Sequence, residues 1–560
     1  LANTFIKEFK EMLMKKGLIL LLCVTTSLVA VSQNIEDAKK FIYYERYKSA
    51  EDLLQQIVKA DPANAEAWYL LSKAYVSSDN PAPLQNMLSQ APATLKGEPY
   101  FQVAYGSYLL NNGNKDSAKY YFDQALDKTR EKNAEILSAI ANAHIVAKTG
   151  DATYAVELLN KAVNREKKDP ALFTMLGDAQ RKLGNGSEAY KTYTTALDKN
   201  GKYAAALYRM GKIFVSQKNP EMYLKYFNQA LEADSSYAPA VYELYYHYYF
   251  TEPQKAMEYF KQYVAKSDPN KTNDVLYTDL LYLNKQYQDA ISNAQQLLGR
   301  NNNADSMPRL YKLMAYSYLG LKDSANAMTN MNQYFEKEVD TNKVAKDYEI
   351  MADLYASVDG KQDSAIAYYL KTVEMAKEQP EKFQFYKKLS DLYKDQKDYL
   401  NQAKWLGMFY TDNPKATNID LFNWGIANFK AEAYDQADTV FGTYIQKYPD
   451  QAFGYYWRAR VNSLSDSTME KGSAIPWYNQ LISMIETDTA NKTNKKWLIE
   501  AYGYLAAYQT NQVKDYRSAT ENLKKILAID PGNKDAQQYI TVLEKKISAD
   551  NNTSTTGTNR

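Results

Sequence analysis

Catalysis and metal binding need particular side chains in company, and this sequence offers few of them. It has two histidines in 560 residues. His144 stands on a helical stretch with Ile140 one turn before it and Lys148 one turn after. No second histidine or cysteine is close enough along the chain to complete a metal set. His247 sits inside Tyr245-Tyr246-His247-Tyr248-Tyr249, a run that reads as packing or surface. A functional reading requires a partner constellation, so both histidines are assigned structural roles. Gly184, Gly186 and Gly201 fall at turns between helices, where glycine closes a helix rather than cradling a phosphate. Asp359, Asp363 and Asp391 could imitate acid pairs, but charge alternating along helices is the pattern of a solvated face. The chain is therefore read as not an enzyme, with no catalytic residue, no metal ligand and no cofactor.

The one cysteine, Cys23, belongs to a leader. Met14-Lys15-Lys16 precedes the apolar run Gly17–Val24, and Ala30-Val31-Ser32 closes it with small residues. A basic start, an apolar core and a small-x-small ending are the marks of a secretory signal peptide, cut before Gln33. The apolar stretch falls short of the ~20 residues that cross a bilayer, so no transmembrane span is expected in the mature chain. The alternative is a lipidated Cys23, although Leu22 is larger than the residue that normally precedes one. Residues 1–13 are read as an upstream extension of this leader. With 14–32 removed, the remainder has no cysteine, which excludes disulfides, thiolate metal sites and cysteine nucleophiles. Residues 1–32 carry four Lys and two Glu, so the totals of 68 basic and 66 acidic groups fall to 64 each. A neutral mature chain lacks the basic footprint that displaces counterions from nucleic acid. The expected location is the periplasm or the periphery of the outer membrane of a Gram-negative bacterium.

What positions the remaining side chains is a repeat. Asp169-Pro170-Ala171-Leu172-Phe173-Thr174-Met175-Leu176-Gly177 is followed thirty-four residues on by Tyr203-Ala204-Ala205-Ala206-Leu207-Tyr208-Arg209-Met210-Gly211. Ala238-Pro239-Ala240-Val241-Tyr242-Glu243-Leu244-Tyr245 comes thirty-four further. Each opens an apolar pattern at helical spacing, then a turn, then a second helix such as Glu188-Ala189…Tyr193…Ala196. This resembles the tetratricopeptide-repeat family, a helix–turn–helix unit of about 34 residues. The resemblance implies an all-α, right-handed superhelical solenoid of about 14 repeats with a C-terminal capping helix.

Repeats placed by that pattern start near 31, 65, 99, 136, 170, 204, 238, 271, 308, 345, 383, 418, 452 and 500. Gly177, Gly211 and Gly425 are expected to let the second helix approach the first, with Ala189, Ala437 and Ala519 completing the fit. Phe227 and Phe441 are expected to fill the gap to the next repeat. The prolines of 80–99 and the extra length around Pro476 make the second and thirteenth repeats irregular. The solenoid is drawn over 33–532 and a capping helix over 533–549, with Tyr539, Val542 and Leu543 inward. A disordered Asn/Thr/Ser tail is expected over 550–560. The 51 tyrosines suit thin helical layers, since each ring can pack while its hydroxyl stays wet.

In the family, the second, fifth, ninth and twelfth positions of each first helix line the concave groove. Carried over, these give Tyr69 and Lys73 in the second repeat, Tyr208 and Lys212 in the sixth, and Tyr242, Tyr246 and Tyr249 in the seventh. The ninth gives Arg309, Lys312 and Tyr316. Phe422, Ile426 and Phe429 come from the twelfth, and Tyr456 and Arg460 from the thirteenth. Tyr and Arg are enriched at binding hot spots, although the same rings could serve only to cover neighbouring helices. No repeat pairs a fifth-position Lys with a ninth-position Asn, the set that some members use to hold a terminal carboxylate. The resemblance implies a non-catalytic scaffold of the cell envelope that binds protein or peptide. The alternative is a glycan-binding component of an outer-membrane nutrient-uptake system.

Overall fold

In the computed structural model, residues 34–80, 82–300 and 307–556 are described, and among them every regular element is helical. The signal peptide, the upstream extension and Cys23 lie outside the described residues, as do the last four residues of the chain. The helices pair into fourteen hairpins: α1 (34–43) with α2 (Tyr47–Ala60), α3 (Ala65–Ser77) with α4 (Ala82–Ser89), and α5 (Pro99–Asn111) with α6 (Lys115–Thr129). α7 (Ala134–Val146) pairs with α8 (Ala152–Arg165), α9 (Pro170–Lys182) with α10 (Gly186–Lys199), and α11 (Ala204–Ser216) with α12 (Pro220–Ala233). α13 (Ala238–Tyr248) and α14 (Pro253–Lys266), α15 (Lys271–Leu283) and α16 (Tyr287–Arg300), and α17 (Pro308–Gly320) and α18 (Ser324–Lys337) complete the first nine. Then come α19 (Ala345–Ala356) with α20 (Gln362–Met375), α21 (Gln379–Asp395) with α22 (Tyr399–Asp412), and α23 (Asn418–Lys430) with α24 (Tyr434–Lys447). α25 (Ala452–Ser465) with α26 (Ile475–Ile485) and α27 (Lys492–Tyr508) with α28 (Tyr516–Ile529) precede the final helix α29 (Lys534–Thr556). Two compact units divide the chain between Asn330 and Met331.

Local chemistry sets the boundaries. Asn or Asp repeatedly caps a helix by accepting a backbone N–H, as Asn64 does from Ala67 at 3.0 Å and Asp151 from Tyr154 at 3.0 Å. The turn inside most hairpins places one residue in the left-handed region. Gly184 supplies it at φ 82°, and Lys285 and Lys397 take the same place at 60°. The close approach within a hairpin rests on the glycines. A Cβ on Gly211 would sit 2.5 Å from the Phe227 ring, one on Gly425 2.6 Å from Phe441, and one on Gly177 would overlap the Tyr193 ring. Each ring therefore stands on the glycine of its own hairpin. Phe441 also fills the gap to the next repeat, as expected, stacking on Trp457 of α25 at 6.2 Å.

Other differences have equally local causes. Two boundaries shift where a polar helical turn precedes the apolar pattern: α21 opens at Gln379 rather than near 383, and α27 at Lys492 rather than near 500. Pro476 falls in the first turn of α26, where a missing N–H costs nothing. Over 80–99 the second helix shrinks to α4, followed by a 3-10 turn at Ala93–Gly97, yet Leu84, Leu88 and Leu95 remain buried. In α29, Ala536 and Leu543 face inward while Tyr539 and Val542 are 61% and 46% exposed. Ala536, Ile540 and Leu543 share one helical face, and Tyr539 and Val542 are each rotated off it by a residue. α29 also runs on to Thr556 instead of giving way to a tail after 549. No Pro or Gly interrupts it before Gly557.

Candidate functional site

In the N-terminal unit the first helices are neighbours in a row. α3 lies against α5, α5 against α7, α7 against α9, and α9 against α11, and α15 lies against α17. Second helices wedge behind them, α8 between α7 and α9 and α10 between α9 and α11. The first helices thus form one face, and their side chains compose it. On α13, Val241, Leu244 and Tyr245 are buried at 2% exposure or less, while Tyr242 and Tyr246 are 37% and 62% exposed. Tyr242 and Tyr246 are one helical turn apart and lie parallel, with centroids at 6.5 Å. Phe250, 77% exposed, lies in the turn after α13, where its ring meets Tyr249 at 4.7 Å. Tyr249 turns aside toward Asp279 of α15. Asp279 is buried and accepts from Arg309 Nη2 of α17 at 2.6 Å, while Arg309 itself stays open to solvent. Burial pushes the Asp279 carboxyl up, against the pull of Arg309 and Tyr249.

The same face receives part of the chain's own beginning. Tyr43 at the end of α1 and the turn residues 44–46 reach the sixth and seventh hairpins and Asp268, between α14 and α15. The Tyr44 hydroxyl donates to Asp234 Oδ2 at 2.9 Å across 190 positions of sequence. Arg46 Nε donates to Asp268 Oδ1 at 3.2 Å, and Ser49 donates to the same carboxylate through its N–H at 3.1 Å and its hydroxyl at 2.5 Å. The Tyr43 ring packs on Tyr203 and Tyr237 at 5.8 and 5.3 Å. Burial pushes its hydroxyl up to about 12, while the backbone N–H of Ala205 pulls the other way. Glu45 faces Arg209 Nη1 at 3.8 Å. Arg209 is held from behind by Asp178 at 3.1 Å, which also accepts from the Tyr193 hydroxyl at 2.7 Å. Burial raises the Glu45 carboxyl; Arg209 and Lys212 lower it, and Asp178 and Glu243 raise it further.

In the C-terminal unit the corresponding positions pack on one another. Phe422 and Phe429 of α23 meet the Trp457 ring at 6.3 and 5.1 Å, and Tyr456 stacks on Trp497 at 4.5 Å. The Arg460 guanidinium lies over Phe429, Trp457 and Tyr456 at 5.6, 5.3 and 5.7 Å and pairs with Glu500 at 3.3 Å.

Among the described residues no group of three or more His, Cys, Asp or Glu is placed to hold a metal ion. None of their helices is long and apolar enough to cross a membrane. His144 accepts the Asp151 N–H on Nδ1 at 3.0 Å, and burial lowers its pKa to about 4. His247 pairs with the Tyr223 hydroxyl at 2.7 Å.

Three tetratricopeptide-repeat families match the sequence, over residues 41–104, 174–238 and 421–450. The chain is a tetratricopeptide-repeat protein. No curated protein matches it. Among solved structures it is similar to the C-terminal part of a tetratricopeptide-repeat-containing protein from Cytophaga hutchinsonii. That likeness has 26% identity over 47% of this chain and 98% of the other, with a TM-score of 0.30. It is also similar to a tetratricopeptide repeat protein from Parabacteroides merdae, with 20% identity over 45% and 96% and a TM-score of 0.30. PilF of Pseudomonas aeruginosa gives 19% over 36% and 90%, with a TM-score of 0.29. Tetratricopeptide repeats are protein-interaction scaffolds, whose stacked hairpins offer extended binding surfaces.

In this tetratricopeptide-repeat chain the groove positions named from sequence separate into three groups. Tyr69, Tyr208 and Tyr456 are buried: Tyr69 stacks on Tyr100 at 5.5 Å, Tyr208 packs on Phe227 and Tyr237, and Tyr456 lies under Trp497. Their rings fill space between neighbouring first helices, so they are packing residues rather than an open groove. Lys73, Lys212, Tyr249, Lys312, Tyr316, Phe422, Ile426, Phe429 and Arg460 are half-buried. Burial pulls the Lys73 ammonium down to about 8, and Lys212 pairs with Glu243 at 2.6 Å. Tyr242, Tyr246 and Arg309 are exposed. Sequence reasoning missed Glu45, Arg209, Glu243 and Asp279. Asp279 occupies a ninth position of its first helix and was within reach of the same rule; Glu45 lies in a turn, where the rule says nothing.

Proposed function

We propose that this protein is a non-catalytic scaffold of the bacterial cell envelope that binds protein or peptide segments on the first-helix face of its N-terminal unit. One observation carries the reading: Tyr242 and Tyr246 expose parallel rings one helical turn apart on α13, with the exposed Phe250 in the turn that follows. Large exposed rings held at low entropy cost are the composition of a binding hot spot. The leader Met14–Ser32 supports the envelope location. Mass analysis of protein recovered from envelope fractions should give an N-terminus at Gln33; a lipid on Cys23 or an uncut leader would contradict that part. Affinity capture followed by mass spectrometry, run beside a glycan array, tests the ligand class. Protein partners that depend on Tyr242 and Tyr246 support the proposal, whereas glycan binding through the same rings would replace it.

A further inference from the structure

Residues 43–46 bear the marks of a bound segment, although Tyr43 and Tyr44 also pack against the buried cluster that holds Tyr208 and Tyr237. None of the four is buried, and the Glu45 side chain is 36% exposed even though it faces three hairpins. Their partners on the face are mostly hydroxyl, carboxylate and guanidinium groups that water can also satisfy. The face has its own supports: Asp178 fixes Arg209 and is itself fixed by the Tyr193 hydroxyl, and Glu243 holds Lys212. It is therefore preorganised whether or not the turn is present. The turn's backbone is not remodelled to fit, because Glu45 at φ 57° takes the left-handed place that Lys218 and Lys285 take in other hairpins. What distinguishes it is its side chains: two phenols, then an acid, then a base.

The geometry points to the face of α11–α15, with Asp178 of α9 behind it, as a peptide site for a segment of two aromatic residues followed by a carboxylate and a cation, which the chain's own Tyr43-Tyr44-Glu45-Arg46 fills in cis. A partner segment of that chemistry enters by displacing the α1–α2 turn. The inference rests on the reading that this face binds protein segments, and it adds the ligand class and the competitor. Because the internal segment is tethered, its effective concentration is in the millimolar range. Releasing it should raise the apparent affinity of an outside segment in proportion to the fraction of face set free.

The test uses the full chain and a labelled synthetic peptide of residues 38–49, with a scrambled peptide as control. Tyr44→Phe/Glu45→Gln/Arg46→Ala removes the polar contacts of Tyr44, Glu45 and Arg46 and keeps those of Tyr43 and Ser49. This variant should bind the peptide at least ~10-fold more tightly than the native chain. Adding Arg209→Ala should abolish that gain. Hydrogen exchange should rise across 38–50 while α5–α10 stay protected. A folded triple variant that binds no better than the native chain would show the turn to be a closing contact only and overturn the inference. So would loss of the fold, since a displaceable ligand cannot be needed for folding. Partner capture through Tyr242 and Tyr246 is read separately. Failure of peptide binding with capture intact removes this inference alone, and loss of capture dependence removes the reading beneath it.

Discussion

The fifth and ninth positions of the first helices hold Tyr208, Lys212, Tyr242 and Tyr246 in the N-terminal unit, and Phe422, Ile426, Tyr456 and Arg460 in the C-terminal one. In the first, charged neighbours such as Glu243 and Asp279 anchor the polar groups, and two rings are left open to solvent. In the second, ring meets ring, and Arg460 is spent on covering Phe429, Trp457 and Tyr456. The same repeat positions therefore become an open face or an extension of the core according to what stands next to them. Ionic supports at the base of a face free its aromatics; aromatic supports consume them.

That contrast can be broken by substitution. The largest effect should come from Tyr245→Ser, which removes a ring 2% exposed and packed on Phe260 at 5.1 Å. It should cost about 3 kcal/mol or more, read by denaturant melts, with exchange rising around α13–α15 only. Gly177→Leu in the N-terminal unit and Gly425→Leu in the C-terminal one force a side chain into the Tyr193 and Phe441 rings. Each should destabilise by roughly 1–3 kcal/mol. Equal losses in the two units would sharpen the claim that their hairpins are built alike and differ only on the first-helix face. Arg460→Ala should cost about 1 kcal/mol through lost cation–ring contact, whereas Arg309→Ala, which leaves the buried Asp279 carboxyl without its cation, should cost about 2 kcal/mol or more.

The smallest effect is one of pH. The His144 pKa falls to about 4 in the fold through burial, offset in part by Asp151. An unfolded chain takes up a proton near the ordinary histidine value of ~6.5 that the folded chain refuses. Stability from this site is thus full above ~6.5, falls as pH drops toward 4, and levels below it. After allowance for its partial exposure the loss should be on the order of 1 kcal/mol. It should vanish in His144→Gln, measured by melts between pH 4 and 7.

The repeat itself was legible because close packing writes itself locally. Gly177 and Tyr193, or Gly425 and Phe441, lie sixteen residues apart, and Gly106 with Phe122 and Gly211 with Phe227 repeat the spacing. Ten starts, among them Ala65, Pro170, Ala238 and Asn418, fall where the pattern puts them. The early openings of α21 and α27 were hidden because turns such as Lys492–Lys496 carry no apolar mark. The face was only half legible. Position alone cannot say whether Tyr208 is covered and Tyr242 bare, since that depends on Tyr237, Phe227 and their neighbours. The contact of Tyr44 with Asp234 spans 190 positions, and no local pattern encodes it.

The central claim is that the open rings of α13 bind and do not hold the fold together. It is tested most directly by Tyr242→Ser/Tyr246→Ser in the full chain, with melting and partner capture measured on the same preparation. The account expects a melting temperature nearly unchanged and partner affinity weakened by about 2 kcal/mol or more, a hot-spot loss. A double variant that melts early would make these rings core. One that melts normally and captures every copurifying partner as before would place the binding surface elsewhere and contradict the account.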